Sequence, residues 1–166
     1  MIYEPLRSTQ FVVRELLLKA DRQNVSLVIG IPKENQKVEK RLAITPEATA
    51  LLVESGYEVV IESGAGLAIN YSDRYYADSG AQVVESKADV FQADIILKIS
   101  PPTFDEVSMM KPRSSVFSFL QLHLISSETL ELMQEKRINA LAYELIHDDN
   151  QISPFVTAIS EIEGAY

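Results

Sequence analysis

Four cationic side chains lie close together in the sequence, directly after a short apolar run, and could bind an anion. They are Lys33, Lys37, Lys40 and Arg41. The guanidinium of Arg41 can hold a carboxylate through two parallel hydrogen bonds. Charge runs are also typical of solvated loops, and Glu34 and Glu39 could balance these cations. From the residues alone, an anion site and a solvated loop both remain open.

A second candidate site lies at the end of a later apolar run, residues 95–99 (IILKI). Lys98 and Ser100 would share one face of a strand, because strand side chains alternate with a period of two. A lysine within a buried strand needs an anionic partner or an opening to solvent. This face is therefore a candidate site, and a position at the edge of the sheet is the alternative.

The sequence contains two histidines, and histidine is the usual acid/base group near neutral pH. His123 follows a predicted strand, whereas His147 lies in a polar loop. An acid/base histidine must stand near the substrate, which in α/β proteins binds at the strand ends. His123 is therefore the candidate, with a partly exposed loop histidine as the alternative.

Residues 63–66 (SGAG) suggest a dinucleotide-binding loop, but the pattern is incomplete. The third glycine of that motif would fall at position 69, which holds Ile69. The segment is therefore interpreted as a glycine turn, without a fingerprint for a nicotinamide cofactor. The chain has no cysteine, which excludes a disulfide framework and a thiolate nucleophile.

Apolar strand-like runs alternate with helical patterns, which predicts an α/β fold with a doubly wound, mostly parallel sheet. The predicted strands are residues 26–31, 57–61, 81–84, 95–99, 115–120 and 138–143. Residues 9–22 have the wide apolar face of an extra N-terminal helix. We therefore expect residues 1–25 to form a helical extension and residues 26–166 to form the α/β domain.

Composition limits the classes of partner. The 166 residues include 24 acidic and 15 basic side chains, for a net charge of −9. This balance argues against a nucleic-acid partner and against direct contact with an anionic membrane, since both need a basic surface. The sequence has neither an apolar run of about 18 residues nor the apolar core of a signal peptide, so we expect a cytoplasmic protein.

Taken together, several stretches resemble one known domain. They are residues 30–34 (GIPKE), 41–46 (RLAITP), 59–66 (VVIESGAG), 93–99 (ADIILKI), 142–144 (AYE) and 159–162 (ISEI). In this order and spacing they are similar to the N-terminal domain shared by alanine dehydrogenases and the alpha subunit of the proton-translocating nicotinamide nucleotide transhydrogenase.

The resemblance implies a flavodoxin-like N-terminal domain that carries the substrate groups, followed by a Rossmann domain that binds NAD. This chain would then be truncated before the Rossmann domain and would bind no cofactor itself. The full-length protein would be a homo-oligomer that acts on a small amino acid or keto acid. For an alanine dehydrogenase, the reaction is reversible oxidation of L-alanine to pyruvate and ammonia.

The resemblance also assigns residues to roles. Arg41 falls at the arginine that fixes the substrate carboxylate, and Lys98 would be a second substrate-binding residue. The catalytic lysine of the family lies two residues beyond the strand lysine, where this chain has Ser100. The family histidine falls on Gln121. His123 is the alternative acid/base, and would share a strand face with Gln121 if the strand continues.

Ser100 and Gln121 change what the site could do, because neither side chain can carry a proton near neutral pH. Two further functions therefore stand beside alanine oxidation. One is transhydrogenase-like hydride transfer between NAD(H) and NADP(H), which needs no substrate acid/base. The other is a catalytically impaired relative that binds a small carboxylate.

Overall fold

The computed structural model of the protein describes residues 26–147 and residue 153. Within them the strands are β1 Val28–Ile31, β2 Glu58–Glu62, β3 Gln82–Val84, β4 Ile95–Leu97, β5 Ser115–Ser118 and β6 Asn139–Ala142. The helices are α1 Pro46–Glu54, α2 Asp73–Asp78, α3 Lys87–Val90, α4 Phe104–Met109 and α5 Ser127–Glu135. The predicted N-terminal helix and the helix expected to begin at residue 157 lie outside the described residues.

The strands form one parallel sheet in the order β3-β2-β1-β4-β5-β6. The predicted α/β fold with a doubly wound sheet is confirmed. In detail, the order follows the 3-2-1-4-5-6 pattern of doubly wound sheets, whereas flavodoxin itself has the order 2-1-3-4-5. The order in which strands are added reverses between β1 and β4, which are parallel neighbours, and a crevice opens above their carboxyl ends.

Two apolar cores hold the helices to the sheet. One contains Ile31, Ile44, Val59, Ile61, Ala65, Tyr76 and Ala81. The other contains Phe91, Ala93, Ile96, Val107, Met110, Val116 and Met133. The first includes residues of β1, β2 and α2, and the second includes residues of β4, β5, α4 and α5. The sheet is therefore covered by helices, which explains why its strands read as nearly continuous apolar runs.

Side-chain caps fix where the helices begin. Thr45 accepts a hydrogen bond from the N–H of Ala48, and Pro46 occupies the first position of α1, as the Thr-Pro pair predicts. At α4, Thr103 accepts from the N–H of Glu106, while the Glu106 carboxylate accepts from the N–H of Thr103 at 3.0 Å. This reciprocal capping box turns Glu106 back towards the end of β4.

Gly30 in β1 lets the end of α3 approach the sheet closely. A Cβ atom at this position would lie 2.4 Å from the carbonyl oxygen of Val90 and 2.9 Å from the Cβ of Ala93. No larger side chain fits there without a shift of the backbone of α3. The close contact sets the distance between α3 and the carboxyl end of β1.

Two buried serines, Ser114 just before β5 and Ser118 at its end, differ in their hydrogen bonding, and this difference predicts different effects of the same substitution. The Ser118 hydroxyl is fully buried and has no hydrogen-bond partner among the described residues. The Ser114 hydroxyl is also buried, but it donates to the carbonyl of Lys111 at 2.8 Å. Ser118→Ala should leave the free energy of unfolding unchanged or raise it, whereas Ser114→Ala should lower it by about 1 kcal/mol.

Urea unfolding of the two variants beside the wild type measures both effects. A loss of stability in Ser118→Ala equal to that of Ser114→Ala would contradict the assignment of an unpaired hydroxyl at position 118.

Candidate active site

A cleft of about 410 Å³ opens above the carboxyl ends of β1, β2 and β4. Its described lining residues are Lys33, Glu34, Asn35, Glu62, Lys87, Lys98, Ser100, Pro101, Thr103 and Glu106. The cleft lies at the switch point between β1 and β4, where ligands bind in open α/β sheets. It therefore brings together Lys98 and Ser100, two of the residues that the sequence singles out.

Lys98 is buried directly after β4, and its ammonium binds carboxylates. Its side chain is 3% exposed, with Nζ 2.7 Å from Oε2 of Glu106 and 3.9 Å from Oε2 of Glu34. The sequence predicts either an anionic partner or an opening to solvent for this lysine. The structure provides the partner, and the edge-of-sheet alternative is excluded because β4 lies between β1 and β5.

Glu106 is the centre of the ionic cluster. Its Oε1 binds Nζ of Lys87 at 2.9 Å, while its Oε2 binds Lys98 and the N–H of Thr103. Burial alone would raise the pKa of Glu106, but the charge and hydrogen bond of Lys98, then Lys87 and the Thr103 N–H, hold it below the usual value of 4.5. Glu106 is therefore a carboxylate at neutral pH.

Glu34 joins the loops that follow β1 and β4. Its Oε1 accepts hydrogen bonds from the backbone N–H groups of Ile99 and Ser100. Burial and then the charge of Glu34 raise the pKa of the Tyr143 phenol to about 12. The same carboxylate thus positions the Ser100 backbone at the cleft and adds to the effect of burial on the pKa of the Tyr143 phenol.

Lys33 presents an ammonium to the cleft without a counter-ion from the described part of the chain. Its backbone N–H donates to Oε2 of Glu62 at 2.8 Å, which fixes the main chain at the end of β1. Its Nζ lies so close to Gly64 that a Cβ atom there would be 3.3 Å away. In the sequence, Lys33 is distinguished only as one of four clustered cations.

Arg41 binds a carboxylate in the two-pronged manner that the sequence suggests, but this carboxylate belongs to Glu39. Nε lies 2.9 Å from Oε1 of Glu39 and Nη2 lies 2.7 Å from its Oε2. The hydrogen bond from Arg41 is the main reason that the pKa of Glu39 is lowered. Arg41 is not among the described residues that line the cleft.

Gln121 and His123 do not share a strand face, because β5 ends before it reaches them. β5 ends at Ser118, and Gln121 has a φ of 41°, in the left-handed region. The carbonyl of Gln121 then accepts a hydrogen bond from the N–H of Leu124 at 2.7 Å, closing a turn. His123 is exposed in this turn, and neither residue is among the described lining of the cleft.

The turn at residues 63–66 does not fit the pyrophosphate of NAD. The carboxylate of Asp73 accepts hydrogen bonds from the Ser63 hydroxyl at 2.8 Å and the Gly64 N–H at 2.7 Å. A bound pyrophosphate would need such a backbone donor and would be repelled by the carboxylate. Gly66 packs against Tyr71 and the Tyr76 ring, so its small size serves packing.

Residues 26–147 lack two other kinds of feature. No group of three or more histidine and carboxylate side chains there could hold a metal ion. None of the helices in this range is long and apolar enough to cross a membrane.

The parallel sheet and the charged cleft at its switch point place the chain in the doubly wound α/β class. A family model described as "Alanine dehydrogenase/PNT, N-terminal domain" matches residues 30–163. The chain belongs to this family, and the resemblance drawn from the sequence is confirmed.

Relatives and solved structures agree with the family assignment. The chain is 32% identical over 139 residues to an alanine dehydrogenase of Staphylococcus saprophyticus, covering 83% of this chain and 37% of that protein. It is 34% identical to an alanine dehydrogenase of Methanococcus maripaludis, with the same coverage of each chain.

Among solved structures, an L-alanine dehydrogenase superimposes with a TM-score of 0.75 at 32% identity, covering 81% of this chain and 37% of that one. A transhydrogenase from Sinorhizobium meliloti superimposes with a TM-score of 0.66 at 31% identity, covering 72% of this chain and 35% of that one. The chain therefore spans little more than a third of the length of the relatives it matches.

Replacing Glu106 by glutamine should destabilise the fold strongly. The change leaves the buried ammonium of Lys98 with only the more distant Glu34 carboxylate, and removing one partner of a buried ion pair costs about 3 kcal/mol or more. Asp78→Asn is the matched control, since its pair with Arg74 is exposed and 3.6 Å long, and should cost less than about 0.5 kcal/mol. Denaturant unfolding at pH 7 compares the two, and equal losses would contradict the role of Glu106.

The same carboxylate should make stability depend on pH. Because the pKa of Glu106 is lowered in the folded state, its contribution is fully present above the ordinary value of 4.5 and is lost as the pH falls through the folded value. The wild type should therefore lose stability on acidification below about pH 4.5, and Glu106→Gln should lose less over the same range. Parallel pH profiles of the two proteins would refute this.

Proposed function

We propose that this chain is the substrate-binding domain of an alanine dehydrogenase-like oxidoreductase, which converts L-alanine to pyruvate and ammonia. The observation that carries the proposal is the match to alanine dehydrogenases over most of the chain. The cleft supports it, because cations and carboxylates side by side suit a small substrate with both an ammonium and a carboxylate.

Arg41 is proposed to fix the substrate carboxylate. Its guanidinium already holds the Glu39 carboxylate in a two-pronged arrangement, so a substrate carboxylate would take up the same geometry in exchange. This exchange also requires Arg41 to turn towards the cleft. Lys98 is proposed to lie at the floor of the cleft, where its buried positive charge holds the carboxylates of Glu34 and Glu106 in place around the substrate.

Ser100, Gln121 and His123 are proposed to complete the site. The Ser100 hydroxyl lines the cleft and can hydrogen-bond a keto or amino group, although it cannot titrate near neutral pH. Gln121 can orient a substrate but cannot transfer a proton. If this chain supplies the acid/base, it is therefore His123, brought to the cleft by a movement of the turn at residues 121–124.

NAD, the proposed hydride acceptor, is assigned to a further domain of the intact protein, and residues 26–166 to the substrate domain. Two observations support this division. The glycine turn of this chain is occupied by Asp73, and the chain spans little more than a third of its relatives.

Hydride transfer between two nicotinamide nucleotides is the second candidate function. The similarity to the Sinorhizobium meliloti transhydrogenase favours it. The neutral side chains of Ser100 and Gln121 favour it as well, since such a transfer needs no proton donor at the substrate.

NAD-dependent oxidation of L-alanine by the intact protein tests the proposal. The wild type should be active, and Arg41→Ala should lower kcat/KM by about 100-fold, the cost of losing a two-pronged charged contact. Arg74→Ala, which removes an exposed arginine on α2, is the control and should stay near the wild type.

Wild-type activity at background would contradict alanine oxidation. Hydride exchange between NADH and an NADP analogue would then support the second candidate. Alanine oxidation that Arg41→Ala leaves unchanged would refute the carboxylate assignment alone.

A further inference from the structure

The cations near the cleft differ in whether the protein itself neutralises them. Lys98 and Lys87 both bind the Glu106 carboxylate, and Arg41 binds Glu39. Lys33 is the exception among these four residues, since its Nζ has no hydrogen bond or ion pair within the described part of the chain. The cleft therefore contains one ammonium whose counter-ion the described residues do not supply.

The backbone holds Lys33 where a ligand can reach it. Its N–H donates to Glu62 at the end of β2, so the main chain is tied to two neighbouring strands. The side chain is half-buried on the wall of the cleft. A partly desolvated ammonium gains more from an anionic partner than one in open water, because the surrounding protein screens the attraction less.

Gly64 keeps the space beside this ammonium clear. A Cβ atom at position 64 would stand 3.3 Å from Nζ of Lys33 and would also contact Leu67. The φ of +72° at Gly64 disfavours any larger residue as well. The bare backbone therefore leaves one side of the Lys33 ammonium open.

The surrounding charges select the kind of anion. Glu34, Glu62 and Glu106 all line the same cleft, so a doubly charged phosphate would meet three carboxylates. A monocarboxylate carries half that charge, and the Ser100 hydroxyl in the same cleft offers a hydrogen bond to a second oxygen. These features together favour a small acid with an oxygen or nitrogen substituent next to its carboxylate.

We propose that Lys33 binds the carboxylate of a small 2-oxo or 2-amino acid in this cleft, beside Ser100. This is a binding contact additional to that of Arg41. The inference deepens the proposed function and rests on it where the bound acid is taken to be the substrate.

Calorimetric titration of the intact protein with pyruvate, and separately with inorganic phosphate, tests this contact. Lys33→Met removes the charge while keeping the length of the side chain, and should weaken pyruvate binding about tenfold or more. Lys33→Arg keeps the charge and should restore most of the affinity. Lys37→Met, from the same loop but exposed and absent from the described lining, is the control and should bind pyruvate as the wild type does.

The outcomes separate this contact from the overall function. Pyruvate binding that is absent in the wild type, or unchanged in Lys33→Met, would overturn the inference, and tighter binding of phosphate than of pyruvate would overturn the carboxylate assignment. Alanine oxidation with an unchanged KM in Lys33→Met would refute the contact while leaving the proposed function in place. If pyruvate binding depends on Lys33 but the protein does not oxidise alanine, the contact stands and the proposed function is refuted.

Discussion

The buried ion pair between Lys98 and Glu106 is the interaction on which the rest of the cleft depends. An ammonium at the end of a central strand is tolerated only because a carboxylate lies 2.7 Å away. Glu106 can reach it because the capping box with Thr103 turns the first residues of α4 back towards β4. Helix capping and charge neutralisation are thus performed by one side chain, and a loss of either would disturb the other.

The switch point of the sheet provides the other half of the arrangement. β1 and β4 are adjacent in the sheet, although β2 and β3 lie between them in the chain. Glu34, from the loop after β1, therefore reaches the backbone of Ile99 and Ser100. The result is a cleft with a charged floor of paired residues and, at its wall, the Lys33 ammonium, for which the described residues supply no counter-ion.

The sequence predicted the fold well because the apolar runs and the Thr45-Pro46 helix start are local signals. It also predicted that Lys98 needs an anionic partner. It could not identify Glu34 as one of the partners, since that contact arises from strand order. Glu106 was detectable in principle, because Thr103 and Glu106 have capping-box spacing. Gln121 and His123 do not share a strand face for a different reason. The strand ends at Ser118, and the backbone of Gln121 is left-handed, which a residue other than glycine seldom adopts.

The central claim is that the cleft at the switch point binds the substrate. A crystal structure of the intact protein with bound pyruvate tests it most directly. The account predicts the pyruvate carboxylate about 3 Å from Nζ of Lys33, with Ser100 on the opposite side of the ligand. Pyruvate bound elsewhere in the protein, with no ligand between Lys33 and Ser100, would contradict it.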